Sequence, residues 1–415
     1  MGFSPIGVTV LVSIRAGEEE QCSEVLQSIN IDTANNVIID FAKQNITHFA
    51  RFVILDDFDQ GEGRKRILFS AIFDGSIENF FAMLRDCTSD LDAIWGCCEG
   101  YTGASNFVQF MMQHNNKTGT ILRGHRYDSV QNIQKYLALR DELAQKFDVP
   151  ITQYEQVIQS LPRKTPNQVR YNKLLKWTHI FLRNTAITLL ILPKVLGLLR
   201  FGEKLFQVRK VLNQELELKR EYTDAPIDKS PPCREFGDGD EVVSQKENDA
   251  LDSFLDRQMV QNQMTVVTVN DPNDFKLSEA TLAYIGTLVN LPFINRNSMI
   301  PTIHFGRWLM IDNGKRMLFL SNYDGNWQTY IGDFVDKSAT GLDAFWRGSI
   351  GWRDATTLDI ELFKEGIRCH QIRASYFYSA YPNATVVNVH RAKALYEAYH
   401  NNIDDDTAKE WLKYL

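Results

Sequence analysis

The chain lacks the short signatures of several common chemistries. No Gly-x-x-x-x-Gly-Lys-Ser/Thr phosphate loop, no Gly-x-Gly-x-x-Gly after a strand, no Gly-x-Ser-x-Gly elbow and no His-Glu-x-x-His helix occurs, so nucleotide, serine-hydrolase and zinc-protease readings lose support. The six cysteines (Cys22, Cys87, Cys97, Cys98, Cys233, Cys369) form neither a Cys-x-x-Cys pair nor a Cys/His zinc spacing, which suits a reducing compartment. Positive charge is short overall: a net charge of -7 argues against a nucleic-acid binder, which needs a basic surface to neutralise phosphates. The apolar start, Met1 to Ile14, has no basic beginning and no cleavage pattern, and Ile6 stands where a myristoylation motif wants Ser or Thr. The expectation is a cytoplasmic protein.

What the chain does have is an internal repeat. His48-Phe49-Ala50-Arg51-Phe52-Val53-Ile54-Leu55-Asp56 returns as His304-Phe305-Gly306-Arg307-Trp308-Leu309-Met310-Ile311-Asp312. The block Arg66 to Asp74-Gly75 returns as Arg316 to Asp324-Gly325, and Leu91-Asp92-Ala93-Ile94-Trp95 as Leu342-Asp343-Ala344-Phe345-Trp346. A duplication means that the fold follows from one half. With 415 residues and 44% hydrophobic content, the chain can bury a large core and hold two or three domains.

In the first copy, residue patterns predict a strand over 7–15, a helix over 18–29, strands over 48–56 and 66–73, a helix capped by Ser76, and a strand over 118–126. The second copy repeats the order, with a strand at 265–269, a helix at 278–291, strands at His304 and Arg316, a helix from Trp327 and a last strand over 368–378. Closing helices follow at 130–146 and 389–399, and Asp406 caps a short terminal one. The order βαββαβ is the ferredoxin-like unit, and two such sheets, each covered by helices on one face, bury their other faces by packing together. The predicted fold is α+β, a tandem ferredoxin-like repeat closing into one barrel. Its parts are a first repeat at 1–128, a helical insertion at 129–220, an acidic Pro/Gly-bearing linker at 221–258 and a second repeat at 259–415.

The insertion is chemically distinct. Residues 163–210 carry eleven Lys and Arg against the single acid Glu203, a local charge of +10. Within it lie the apolar runs Thr185 to Leu192 and Val195 to Leu199, too short to span a bilayer, which takes about 20 residues. Flanking cations around an apolar centre suit a segment lying in a membrane interface, against the alternative of a helix packed on the barrel with solvated charges.

The chemistry-bearing candidates are the duplicated residues. On a regular strand His304 and Arg307 point to opposite faces and cannot line one cavity. For the arginines the expected partners are the repeated aspartates, Arg51 with Asp92 and Arg307 with Asp343. Ala50 and Gly306, two residues after the histidines, leave space that a flat cofactor or substrate needs. Asp74-Gly75 and Asp324-Gly325 read as turns with the aspartate at a helix N-terminus. His370 is expected in the last strand of the second copy, His125 and His390 near the closing helices, and the aromatic run Tyr376-Phe377-Tyr378 with Tyr381 in core or pocket.

Tandem βαββαβ units with these residues resemble the dimeric α+β barrel superfamily, which includes dye-decolourising peroxidases, chlorite-dismutase-like proteins and small monooxygenases. The resemblance covers both halves and not the insertion; Ala71 and Ser321 stand where the peroxidase Gly-x-x-Asp-Gly signature has its first glycine. It implies a heme held by His304 or His370, with Arg307 and Asp324 handling peroxide and His48 and Arg51 as first-copy counterparts. The implied function is a membrane-associated, peroxidase-like oxidoreductase acting on a hydrophobic or lipid-derived substrate, with residues 163–210 on the membrane surface. Two other readings stand beside it: a cofactor-free monooxygenase or isomerase for an apolar small molecule, and a non-catalytic lipid-binding protein.

Overall fold

The computed structural model describes residues 4–31, 38–57, 63–116, 119–149, 156–157, 260–271, 278–279, 281–283, 286, 300–346, 348–350 and 360–401. The basic segment 163–210, the linker 221–258, most of the helix expected at 278–291 and the terminal helix expected at Asp406 lie outside them. In chain order the first half contains β1 (Ile6–Ser13), α1 (Glu19–Ile31), α2 (Phe41–Gln44), β2 (Thr47–Asp56), β3 (Lys65–Phe73), α3 (Ile77–Cys87), α4 (Leu91–Trp95), α5 (Phe107–His114), β4 (Thr120–Arg123) and α6 (Val130–Lys146). The second half contains β5 (Gln261–Val269), β6 (Ile303–Ile311), β7 (Arg316–Asp324), α7 (Trp327–Trp346), α8 (Ile360–Cys369), β8 (Ala374–Ser379) and α9 (Val386–Asn401).

Alternation along the strands explains the layers. In β2, Ala50 and Phe52 pack with the helices while Val53 and Leu55 pack toward the second sheet. Leu309 and Ile311 of β6 and Leu318 and Leu320 of β7 meet them there. Ser76 caps α3 through the amide of Asn79, as its position before an apolar run suggests. The two halves also share their aromatic geometry: Trp95 meets Phe69 edge-on at 6.2 Å and 89°, and Trp346 meets Phe319 at 5.2 Å and 88°.

The described residues form two four-stranded antiparallel sheets, ordered β1-β3-β2-β8 and β4-β6-β7-β5, and no closed barrel. Each sheet takes its fourth strand from the other half, since β8 pairs with β2 and β4 with β6. The chain just ahead of β4 and just ahead of β8 pairs with its own half at the isolated bridges Val10–Asn115 and Val266–Gln371. After that contact the chain crosses over, so the seams hold one bridge each where a barrel needs a ladder. The exchange delivers α6 and α9 side by side; Ile133 and Val389 share one apolar cluster, Leu143 and Leu395 another, and Lys393 pairs with Asp128 at 2.6 Å. At the opposite end, buried Asp312 accepts from Arg66 of the first sheet and Arg316 of the second.

Candidate functional site

The duplicated histidines sit where the strands are irregular. In both β2 and β6 the register slips by one residue, between Thr47 and Phe49 and between Ile303 and Phe305, so His48 and His304 occupy bulges. A bulge re-aims the side chain it carries. The regular-strand expectation that His304 and Arg307 face apart is therefore corrected: His304 lies 5.3 Å from Phe49, His48 lies 5.4 Å from Phe305, and both are fully buried on the inter-sheet side. The room expected beside Gly306 lies elsewhere, since a Cβ there would meet Ile303 and Trp308 on the helix-covered face.

Each histidine is held by an aspartate from the neighbouring strand end. His48 Nε2 donates to Asp74 Oδ1 at 3.2 Å, and His304 Nε2 donates to Asp324 Oδ1 at 2.8 Å. The second oxygens accept backbone amides, Val130 N–H at 2.8 Å and Val386 N–H at 2.7 Å. Both aspartates thus cap helices, but the distant α6 and α9 rather than the helices that follow them, which the turn reading did not foresee. Since an ionised carboxylate only accepts, each Nε2 carries its proton and each Nδ1 is an acceptor. Tyr381 O–H donates to His48 Nδ1 at 3.0 Å, and His125 Nε2–H donates to His304 Nδ1 at 2.9 Å.

His125 and Tyr381 are counterparts, because Gly124 N–H donates to His304 O just as Ala380 N–H donates to His48 O. Their difference is chemical. A hydroxyl needs no second partner, whereas His125 keeps a buried Nδ1 that has none. Burial holds His125 well below its ordinary pKa, reinforced by His304, His390, His48 and Lys393. Burial likewise pushes Tyr381 well above its own, helped by Asp74, Asp128 and Asp324.

The arginines cross between the sheets as a second pair. Arg51 Nη1 donates to Gln263 Oε1 at 2.9 Å, Met264 O at 2.8 Å and Thr265 Oγ1 at 3.3 Å, and its Nη2 donates to Ser321 O at 2.8 Å. Arg307 Nη1 reaches Val8 O, Thr9 Oγ1 at 2.8 Å and Ser70 Oγ at 3.1 Å. Val8-Thr9 and Met264-Thr265 are thus matching receptors. The expected Arg51–Asp92 pair does not form, and Asp92 accepts from Tyr101 at 2.7 Å. Arg307 likewise binds carbonyl and hydroxyl oxygen in place of Asp343. Burial lowers both guanidinium pKa values to about 9, with Arg307 adding to the effect on Arg51 and Arg123 to that on Arg307.

Compared with known proteins, the chain matches no family model, no curated protein and no solved structure.

A porphyrin does not fit the histidines present. Both ring nitrogens of His304 are hydrogen-bonded, and Phe49 and Tyr381 pack 5.3 and 5.9 Å from its ring. His370 lies in the turn after α8, not in a strand, where its Nδ1 donates to Gly366 O at 2.7 Å and burial lowers its pKa. Among the described residues it makes no hydrogen bond to His304, Arg307 or Asp324, and no group of three or more His, Cys, Asp or Glu could hold a metal. Asp324 has both oxygens engaged and Arg307 is bound into the opposite sheet, so neither is poised for peroxide. Sequence reasoning passed over Thr9 and Thr265, whose equivalence appears once the repeat is extended back into the first strand of each half.

Proposed function

We propose that this protein is a non-catalytic, lipid-binding scaffold, an α+β body that brings residues 163–210 to an anionic membrane surface. The observation that carries this reading is the closure of the duplicated site. Every candidate side chain between the sheets, His48, His304, Asp74, Asp324, Arg51 and Arg307, is engaged by another part of the same chain. The chamber next to them, bordered by Arg51 and Arg307, holds about one water, far below the ~300 Å³ of an ordinary small-molecule site. Such a network joins strands to helices; it leaves no ring nitrogen of His48 or His304 and no carboxylate oxygen of Asp74 or Asp324 free for a substrate.

The sequence supplies the surface property that the interior lacks, a +10 segment with an apolar centre in a chain of -7. Among the described residues no helix is long and apolar enough to cross a membrane, so the reading is peripheral association. In the same reading, the two halves are a duplicated ferredoxin-like unit whose final strands have been exchanged.

Vesicle flotation tests it. The full chain should float with vesicles containing an anionic phospholipid and not with neutral ones. Lys173→Gln, Lys176→Gln and Arg183→Gln together should weaken binding about 100-fold, at ~1 kcal/mol per removed charge. Flotation that ignores those charges, or a Soret band that forms with hemin and disappears in His304→Ala, would overturn the proposal.

A further inference from the structure

The two buried guanidinium groups face a single chamber between the sheets, lined by Arg51, Arg307, Ser70, Asn322, Phe49 and Leu320. Among the described residues no carboxylate pairs with either arginine; their acceptors are carbonyl, hydroxyl and amide oxygens, all neutral. Neutral oxygens satisfy hydrogen bonds but do not cancel charge, and two like charges in one interior are strongly unfavourable without an anion. Burial lowers both arginines to about 9, and no carboxylate contributes to either shift; Tyr323 and Tyr330 oppose it at Arg51.

A second observation points into the same space. Asn322 is 3% exposed, lines the chamber, and its Nδ2 has no hydrogen-bond partner. An amide N–H is a donor seeking an acceptor. Arg307 makes its three bonds through Nη1, so its Nη2 is a further donor without a protein acceptor among the described residues. Ser70 adds no negative charge: its hydroxyl donates to Val8 O and its neutral oxygen accepts from Arg307 Nη1. Donors and positive charge converge on a chamber with no negative charge of its own.

We propose that this chamber is a binding site for one small monovalent anion, chloride, which bridges Arg51, Arg307 and Asn322 and ties the two sheets together. Room for about one water sets the size class: a halide is the anion nearest that size, and sulfate and phosphate are larger.

The test compares the full chain in chloride, bromide, sulfate and gluconate at one ionic strength. Chloride and bromide should raise the thermal midpoint by about 2–4 °C over gluconate, while sulfate should not. Asn322→Asp places a carboxylate between the arginines and should remove the halide dependence while keeping the fold. Crystals grown in bromide should show an anomalous peak within hydrogen-bond distance of Arg51, Arg307 and Nδ2 of Asn322. Equal midpoints in all four salts, a halide shift that survives in Asn322→Asp, or a water in place of the bromide peak would overturn the proposal. Should the variant fail to fold, the bromide crystal of the unaltered chain decides.

Discussion

Replacing Asp324 by asparagine tests the histidine network, because the two halves predict unequal losses. The carboxylate accepts from His304 at 2.8 Å and from the Val386 amide at 2.7 Å. The asparagine oxygen can keep the amide, but its NH2 then confronts the proton on His304 Nε2. His304 can escape by moving that proton to Nδ1, and His125 must then shift its own proton to its buried, unpartnered Nδ1. Either arrangement leaves one buried donor unsatisfied, at about 1–3 kcal/mol, and removes a charge-assisted bond worth roughly 1 kcal/mol more than a neutral one. Asp324→Asn should therefore destabilise by about 2–4 kcal/mol. In Asp74→Asn the same proton shift ends at Tyr381, whose O–H then loses its acceptor, but the bond removed is the longer one, 3.2 Å against 2.8 Å, at a carboxylate 14% exposed against 8%. That loss should be about 1–2 kcal/mol. Urea unfolding followed by near-UV circular dichroism measures both. If Asp74→Asn proves as damaging as Asp324→Asn, the weaker hold read from the longer, more exposed His48–Asp74 bond is wrong.

His125→Tyr should restore the arrangement of the other half, with the new hydroxyl donating to His304, and leave stability at pH 7.5 within about 1 kcal/mol. In the unaltered chain the folded pKa of His125 lies below its ordinary 6.5, so the unfolded chain takes up that proton first as pH falls. Its contribution is complete above pH 6.5 and declines below it by up to about 1.4 kcal/mol per pH unit; urea midpoints at pH 7.5, 6.0 and 5.0 should show a shallower decline in the variant, and parallel curves would refute the role given to His125. Gly7→Ala would put a methyl 2.7 Å from Nε of Arg307 and should destabilise by about 1–3 kcal/mol, with a less-than-additive loss in combination with Arg307→Met. Fully additive losses in that double-mutant cycle would mean that the two positions do not touch.

The local elements were legible. Alternating Val and Ile marked β1, the repeat marked β2, β3, β6 and β7, and Ser76 announced α3, because each rests on neighbours in sequence. The strand exchange was not legible, since β8 pairs Tyr376 with Phe52 and no local pattern encodes a partner that distant. The bulges were hidden for a related reason: a strict two-residue period has no mark for the inserted residue, although the preserved histidine in both copies was the trace of it. The helix caps supplied by Asp74 and Asp324 were assigned to the adjacent helix because chain order is all that a sequence offers. The arginine partners were misjudged because backbone carbonyls leave no signature, whereas an aspartate nearby in the repeat is conspicuous.

The crossed strands also bear on how the protein is made. The outer edge of β2, from Phe49 to Val53, is emitted early and must wait for residues 374–379, roughly 300 residues later, which at ~5–20 residues per second is about 15–60 s of synthesis. Throughout that interval a bare hydrogen-bonding rim stands ready to take any extended chain, including the same rim on a neighbouring ribosome's product. Timing on the polysome, as much as stability once complete, therefore governs whether the molecule closes on itself or trades strands with a sibling.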